Sequence, residues 1–144
     1  MKEFSLVVDI AAPREKVWEA LADFDKYSLW NPVVPQISGR FEVGQCLQHR
    51  LIKIDGSEVE YTPTVLAVEA PRHSVLAKAL IHKKLIYLVH TFSLGEPLDG
   101  VTKFTQTWQC TGLLVPLLWR ELVGRFKNFE KSNNSLKNYL ENKA

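Results

Sequence analysis

Two β-rich stretches carry the residues of this chain best suited to chemistry: LIYLVHTFSL, residues 85–94, and KFTQTWQC, residues 103–110. Side chains alternate across a strand. Ile86, Leu88, His90, Phe92 and Leu94 therefore share one face, opposite Tyr87, Val89, Thr91 and Ser93. In the second stretch Phe104, Gln106, Trp108 and Cys110 share a face, opposite Lys103, Thr105, Thr107 and Gln109. The more apolar set of each strand is the one to bury. Each buried set then contains a single polar residue, His90 or Gln106, and a buried polar side chain needs a partner. A His90–Gln106 pair satisfies both. Imidazoles titrate near neutrality and can move a proton, so His90 is the candidate acid/base. A lone inward histidine more often serves as a hydrogen-bonded wall residue, and both readings stand at this point.

Neighbouring antiparallel strands must set inward residues opposite inward residues. With a reversal around Pro97-Leu98-Asp99-Gly100, the expected register puts His90 opposite Gln106 and Leu88 opposite Trp108. Ile86 then faces Cys110 and Phe92 faces Phe104, and a bulge near Gly95 would move His90 opposite Phe104 instead. His49 lies in a strand with two allowed registers, which leaves its direction open. Arg50 points the other way and either binds a ligand carboxylate or carbonyl or stays solvated. Glu58 and Glu60 alternate with Val59 and Tyr61, and the apolar face is again the one to bury, so inward carboxylates are scarce.

Other chemistries lack their residues. The four histidines and two cysteines show no zinc-ligand spacing, and no metal site is expected. No G-x-S-x-G elbow, G-x-G-x-x-G turn or phosphate-binding loop occurs, and no cofactor is expected. Lys plus Arg is 18 against 16 for Asp plus Glu, which provides no electrostatic case for nucleic acid or an anionic membrane. The apolar run GLLVPLLW, residues 112–119, is far shorter than the roughly 20 residues of a spanning helix, and Arg120 closes it. No stable membrane insertion is expected; core packing or the wall of a pocket is. Lys2, Glu3 and Asp9 break up any apolar signal core in MKEFSLVVDI. Cys46 and Cys110 are accordingly expected as free thiols in the cytoplasm.

The elements that must position these residues follow from pattern. No repeat or linker divides the chain, and residues 1–144 read as one domain. Residues 3–10 are β-rich and end at Ala11-Ala12-Pro13; Val17, Leu21 and Phe24 then recur at helical spacing, giving a helix from about Pro13 to Asp25 and a further turn through Leu29. From Val33 to Thr111, short β-rich runs alternate with turn signals such as Asp55-Gly56, which reads as about six antiparallel strands. Pro63 interrupts one of them and marks a bulge or an edge. A single helix from roughly Val115 to Glu141 closes the chain. Its stripe of Trp119, Leu122, Phe126, Phe129, Leu136 and Leu140, with Asn133 interrupting, must lie across the sheet.

This order of elements, and the residues within it, resemble a known family. APREKVWEALADFDKYSLWNP resembles the opening of the START/Bet v 1-like (SRPBCC) superfamily. GVTKFTQTWQCTGLLVPLL and FEKSNNSLKNYLE are similar to its polyketide cyclase/dehydrase-type bacterial branch, apart from Trp108, where that branch more often has Glu. The resemblance implies an α+β helix-grip fold: a curved antiparallel sheet of about seven strands wrapped around a long C-terminal helix, with two short helices after strand 1. It also implies a cavity between sheet and helix, with GLLVPLLW crossing at one end.

The residues expected to line that cavity as ligand contacts are Trp30, Tyr61, Leu88, His90, Phe92, Phe104, Gln106, Trp108, Trp119, Leu122, Phe126 and Asn133. Phe126 is expected to border open space and Phe129 to be packed. The first functional reading is a monomer or weak homodimer that binds a small hydrophobic or amphipathic molecule such as a lipid, quinone or polycyclic metabolite. The alternatives are a cyclase or dehydratase acting on a polyketide-like substrate, with His90 as acid/base and Arg50 or Gln106 polarising a carbonyl, and an interaction domain whose cavity is vestigial.

Overall fold

Pro13 follows the first strand by a short turn and starts the first helix. It takes an extended conformation, φ −62° and ψ 148°, which suits the residue that leads into a helix. In the computed structural model, which describes residues 1–142, strand β1 (Lys2–Ile10) thus passes into α1 (Arg14–Ala22). The helix ends at Ala22, short of the expected Asp25, because Asp23 leaves helical geometry at ψ 82°. A 3-10 helix, Phe24–Leu29, follows. Tyr27 Oη donates to the Leu21 carbonyl at 2.5 Å and folds the two helices together.

Seven more strands follow: β2 (Gln36–Ser38), β3 (Gln48–Ile52), β4 (Glu58–Tyr61), β5 (Thr64–Glu69), β6 (His73–Leu80), β7 (Ile86–Leu94) and β8 (Thr102–Thr111). All pairings are antiparallel. The expected α+β helix-grip arrangement is present, with its antiparallel strands in two sheets rather than one, ordered β1-β8-β7-β6-β5 and β2-β3-β4. Pro63 makes the division. It has no N–H to donate to a ladder, so SEVEYTPTVLAV breaks into β4 and β5. Its carbonyl is still used, accepting from Leu47 N at 2.9 Å, and a bridge between Cys46 and Thr64 joins the two sheets beside it.

The C-terminal helix is also divided, into α2 (Val115–Lys127) and α3 (Glu130–Glu141). At the junction Asn128 N bonds Arg125 O and Phe129 N bonds Phe126 O at 3.0 Å, the tighter i to i+3 pattern. Asn128 Nδ2 reaches the Ile52 carbonyl at 3.3 Å, pinning the junction to the end of β3. Both helices approach the large sheet at β1, and α2 also at β8.

Apolar burial follows this geometry in two clusters. Ile10, Val17, Leu21, Trp30, Phe104 and Leu136 belong to the first. Leu6, Leu88, Trp108, Cys110, Leu122 and Phe126 belong to the second. Phe129, at the helix junction, packs against both. Of GLLVPLLW, Val115 is buried, but Leu113 and Leu117 are 80% and 79% exposed, so only part of this segment meets the expectation of core or wall. Its crossing role rests on Gly112. There φ is +130°, and a Cβ would come within 2.2 Å of the Leu85 carbonyl oxygen. The two thiols lie far apart in environment: Cys46 is exposed and Cys110 buried, and both are free.

The expected contrast between the two phenylalanines holds only in part, since both border the open space beneath the helices. Phe126 is only 4% exposed and stacks on Trp108 at 5.0 Å, whereas Phe129 is half-buried. Phe126→Ala should therefore lose about 3–5 kcal/mol of stability in urea melts, and Phe129→Ala clearly less. Equal losses would show the two rings to be packed alike.

Candidate functional site

The helices seat on the β1–β8 side of the large sheet, and the remaining concave space is a cavity of about 760 Å³. Leu76, Leu88, His90, Phe92, Phe104, Gln106 and Trp108 wall it from the large sheet. Leu122, Phe126, Phe129, Ser132 and Asn133 wall it from the helices. Tyr27, Trp30 and Asn31, together with His49, Leu51 and Tyr61 of the small sheet, complete the enclosure. Exposed Ile54 and Ile81, 62% and 79% accessible, mark its rim.

All the residues expected as ligand contacts border this space except Trp119. Trp119 sits on the outer part of the second cluster, edge-on to Phe126 at 6.3 Å, with Lys2 Nζ over its ring at 5.9 Å. Helical spacing placed it on the same stripe as Leu122 and Phe126. The approach of α2 to β1 turns its end of the stripe toward that edge strand.

The β7–β8 register differs from expectation by two residues. His90 pairs with Trp108, Leu88 with Cys110, Phe92 with Gln106 and Leu94 with Phe104. The cause is the turn. Leu98 pairs with Val101 around Asp99 and Gly100, whose φ values are +53° and +77°, the two-residue left-handed reversal that favours Asp-Gly. Residues 95–97 then face only Thr102 and Lys103, an extra residue that sets the register beyond. A shift of two preserves which face is inward, so the polar pair survives as a diagonal contact. His90 Nε2 lies 2.9 Å from Gln106 Oε1. Gln106 Nε2 in turn donates to Asn133 Oδ1 at 2.5 Å, linking sheet to helix.

An amide oxygen only accepts, so as the amides are oriented His90 carries its proton on Nε2 and leaves Nδ1 with a lone pair. Its ring stacks on Trp108, at 4.5 Å and 14° between planes, and meets Phe92 and Phe129 edgewise. What accessible surface His90 retains looks into the cavity rather than into bulk solvent. Burial pushes its pKa down to about 3; the Gln106 bond opposes this and the nearby His49 adds to it. Such an imidazole is neutral at pH 7.

His49, left undecided by its sequence, is buried and faces the cavity, edge-on to Tyr61 at 5.9 Å. Burial lowers its pKa to about 4. A signal for its direction existed: Leu47 and Leu51 share its parity, and Leu47 is 1% exposed. Arg50 takes the opposite face. It is exposed, pairs with Glu58 at 2.5 Å and does not border the cavity, which removes it as a carbonyl polariser. Sequence pattern also missed Asn31 and Ser132. Asn31 Oδ1 accepts from Val33 N, Val34 N and Ser132 Oγ, tying the loop after the 3-10 helix to α3. Among the described residues the sealed side-chain polar atoms without a partner are Arg14 Nε, Trp30 Nε1 and His49 Nδ1. Two of these belong to the cavity wall. No group of His, Cys, Asp and Glu suited to a metal occurs among the described residues, and no helix is long and apolar enough to cross a membrane.

The suppressed imidazoles predict a pH dependence. The unfolded chain takes up protons near pH 6.5 while folded His49 and His90 do not until about 4 and 3. Their contribution to stability is thus complete above the unfolded pKa and lost as pH falls toward the folded values. From pH 7 to 5, where carboxylates remain largely ionised, each should cost roughly 1–2 kcal/mol. His90→Gln should flatten the dependence in thermal melts; an unchanged slope would show that His90 does not titrate differently on folding.

Comparison with known proteins agrees with this architecture. Residues 1–141 match the family model for polyketide cyclase / dehydrase and lipid transport. No curated protein matches the sequence. Among solved structures, a START superfamily protein from Mycobacterium smegmatis superposes with a TM-score of 0.74 at 19% identity, covering 99% of each chain. Protein SSP2350 from Staphylococcus saprophyticus gives 0.72 at 21% identity, over 97% of this chain and 92% of that one. The di-domain ARO/CYC StfQ from the steffimycin biosynthetic pathway gives 0.74 at 16% identity, and the match spans 97% of this chain but 51% of StfQ. At such identities these structures show the shared fold, and the family match over nearly the whole length shows kinship: the chain belongs to the polyketide cyclase / dehydrase and lipid transport family.

Proposed function

We propose that this protein binds a small apolar or amphipathic molecule in the cavity between the large sheet and the C-terminal helices. The observation that carries the reading is the cavity itself. Its volume of about 760 Å³ falls among those of small-molecule sites, roughly 300–1,000 Å³, and is far beyond what a few trapped waters need. Its walls combine aromatic and aliphatic side chains, which supply affinity, with the chain His90–Gln106–Asn133, which supplies orientation. Free thiols at Cys46 and Cys110 suit a reducing, cytoplasmic setting, and the binding unit of this reading is a monomer or weak homodimer.

The second reading is a cyclase or dehydratase in which His90 moves the proton. Its support is the bond that orients the ring and leaves Nδ1 toward the cavity. Against it stands the low basicity of an imidazole with a pKa of about 3, which makes ligand binding the leading reading. Turnover that vanishes in His90→Ala while binding persists would reverse that order.

Native mass spectrometry of the purified protein should reveal a co-purified small molecule or uptake of an apolar dye such as 1-anilinonaphthalene-8-sulfonate. Leu76 pairs with His90 on the inward face and lines the cavity, and Leu76→Trp should narrow it, weakening dye binding by about tenfold or more with unchanged circular dichroism. Undiminished binding in that variant would place the dye outside the cavity and remove the reading's support.

A further inference from the structure

Among the described residues, the exposed ones that line the cavity come from three places: the hairpin at 53–60, Ile81 at the end of β6, and Arg125 of α2. The mouth therefore lies between that hairpin, the β6–β7 turn and the helix. Alternation along β6 turns Leu76, Lys78 and Leu80 inward, paired with His90, Leu88 and Ile86 of β7. Lys78 thus stands one inward position, about 7 Å along the strand, nearer the mouth than Leu76 and His90. Its side chain is half-buried and borders the cavity.

The ammonium has only a neutral partner. Lys78 Nζ donates to Thr62 Oγ1 at 3.0 Å. Among the described residues no carboxylate lies within ion-pair distance of it. An ammonium has three donors, so two N–H groups remain for what enters the cavity, and the accepting Thr62 hydroxyl retains its own proton to donate. Other charges at the mouth are matched. Lys53 and Arg125 stand with Asp55 and Glu60 around the rim, all four exposed. Asp55 is also engaged within its hairpin, accepting from Ser57 N at 2.9 Å and Ser57 Oγ at 2.6 Å. One positive charge is left over, and it is the half-buried one. Farther in, His90 is neutral and bonded to Gln106, so the deep end holds no second cation.

We infer that Lys78 and Thr62 form a headgroup site for a single carboxylate, and that the ligand is an amphipathic monoacid whose acid group stays near the mouth while its apolar body runs inward. This deepens, and rests on, the reading of the cavity as a ligand site. Lys78 meets the carboxylate with charge-assisted hydrogen bonds, which are about twice as strong as neutral ones, and the Thr62 hydroxyl adds another. A dianion such as a phosphate monoester brings one charge more than the site offsets, and partial burial makes that costly. The body need not be planar. His90 and Phe126 already cover both faces of the Trp108 indole, and the walls beside Lys78 are the aliphatic Leu76, Leu80 and Leu88.

Decanoate and 1-decanol share a chain and differ in the head, so they separate the headgroup site from the cavity beneath it. Each is titrated at pH 7 into the full chain loaded with N-phenyl-1-naphthylamine, an uncharged fluorescent reporter. Lys78→Met keeps the apolar stem and removes the charge. It is expected to weaken decanoate about tenfold or more and to change 1-decanol by less than about twofold. Lys78→Gln takes its place should the first variant fail to fold. Decanoate unaffected by loss of the charge, both probes weakened alike, or a bound reporter that decanoate does not displace overturns the headgroup site and leaves the cavity reading intact. A reporter that does not bind at all overturns both.

Discussion

Trp108 holds the C-terminal helix at a fixed height above the sheet. Its indole lies between the His90 imidazole on one side, 4.5 Å away and 14° from parallel, and the Phe126 ring on the other, 5.0 Å away and 8° from parallel. Phe4, from β1, adds a further ring against both Trp108 and Phe126. Flat rings stacked in this way resist compression, because interiors pack to the density of organic crystals. The stack runs from β7 through β8 to α2, and it sets how far the helix can sink. A smaller residue at 108 would let the helix settle; the indole keeps the neighbouring space open.

That space stays usable because its far end is tied independently of the stack. Asn31 Oδ1 gathers two backbone N–H groups and the Ser132 hydroxyl, so the loop after the 3-10 helix and α3 share one acceptor. Ser135 Oγ donates to the Trp30 carbonyl. Glu141 accepts from Ala11 N at 2.8 Å and Lys137 donates to the Asp9 carbonyl at 2.7 Å, fastening the last helix to the end of β1. The helix is thus propped at one end and moored at the other. Its break at Asn128 and Phe129 lies between these attachments.

Electrostatics inside the cavity follow from the same enclosure. Removing His49 and His90 from water disfavours their charged forms, and the nearness of His49 disfavours that of His90 further. Tyr61, on the same wall, has its phenol pKa raised by burial for the corresponding reason. The two histidines and the phenol of this wall are therefore neutral at pH 7, while the half-buried Lys78, bonded to Thr62, also borders the cavity. An indole rather than an acid at position 108 contributes to this, since it supplies the prop and adds no anion.

Much of this was legible in the residues alone. Alternation in β7 and β8 identified the inward faces and the His90–Gln106 partnership, because strand parity is local and a shift of two leaves it unchanged. The opening helices, the antiparallel strands and the apolar stripe of the last segment came from periodicity, and the segments around Trp18, Trp30 and Asn133 pointed to the family. The register, the division into two sheets, the helix break and the direction of His49 did not. Each depends on a contact between distant parts of the chain: the Asp99-Gly100 reversal with its added residue, the Leu47 amide meeting the Pro63 carbonyl, and Asn128 reaching Ile52. Trp119 shows the same limit, since helical spacing assigns a face but not what that face meets. The cavity belongs wholly to the tertiary structure. Periodicity says which side chains turn inward, but only the packed rings determine whether they touch one another or leave room between them.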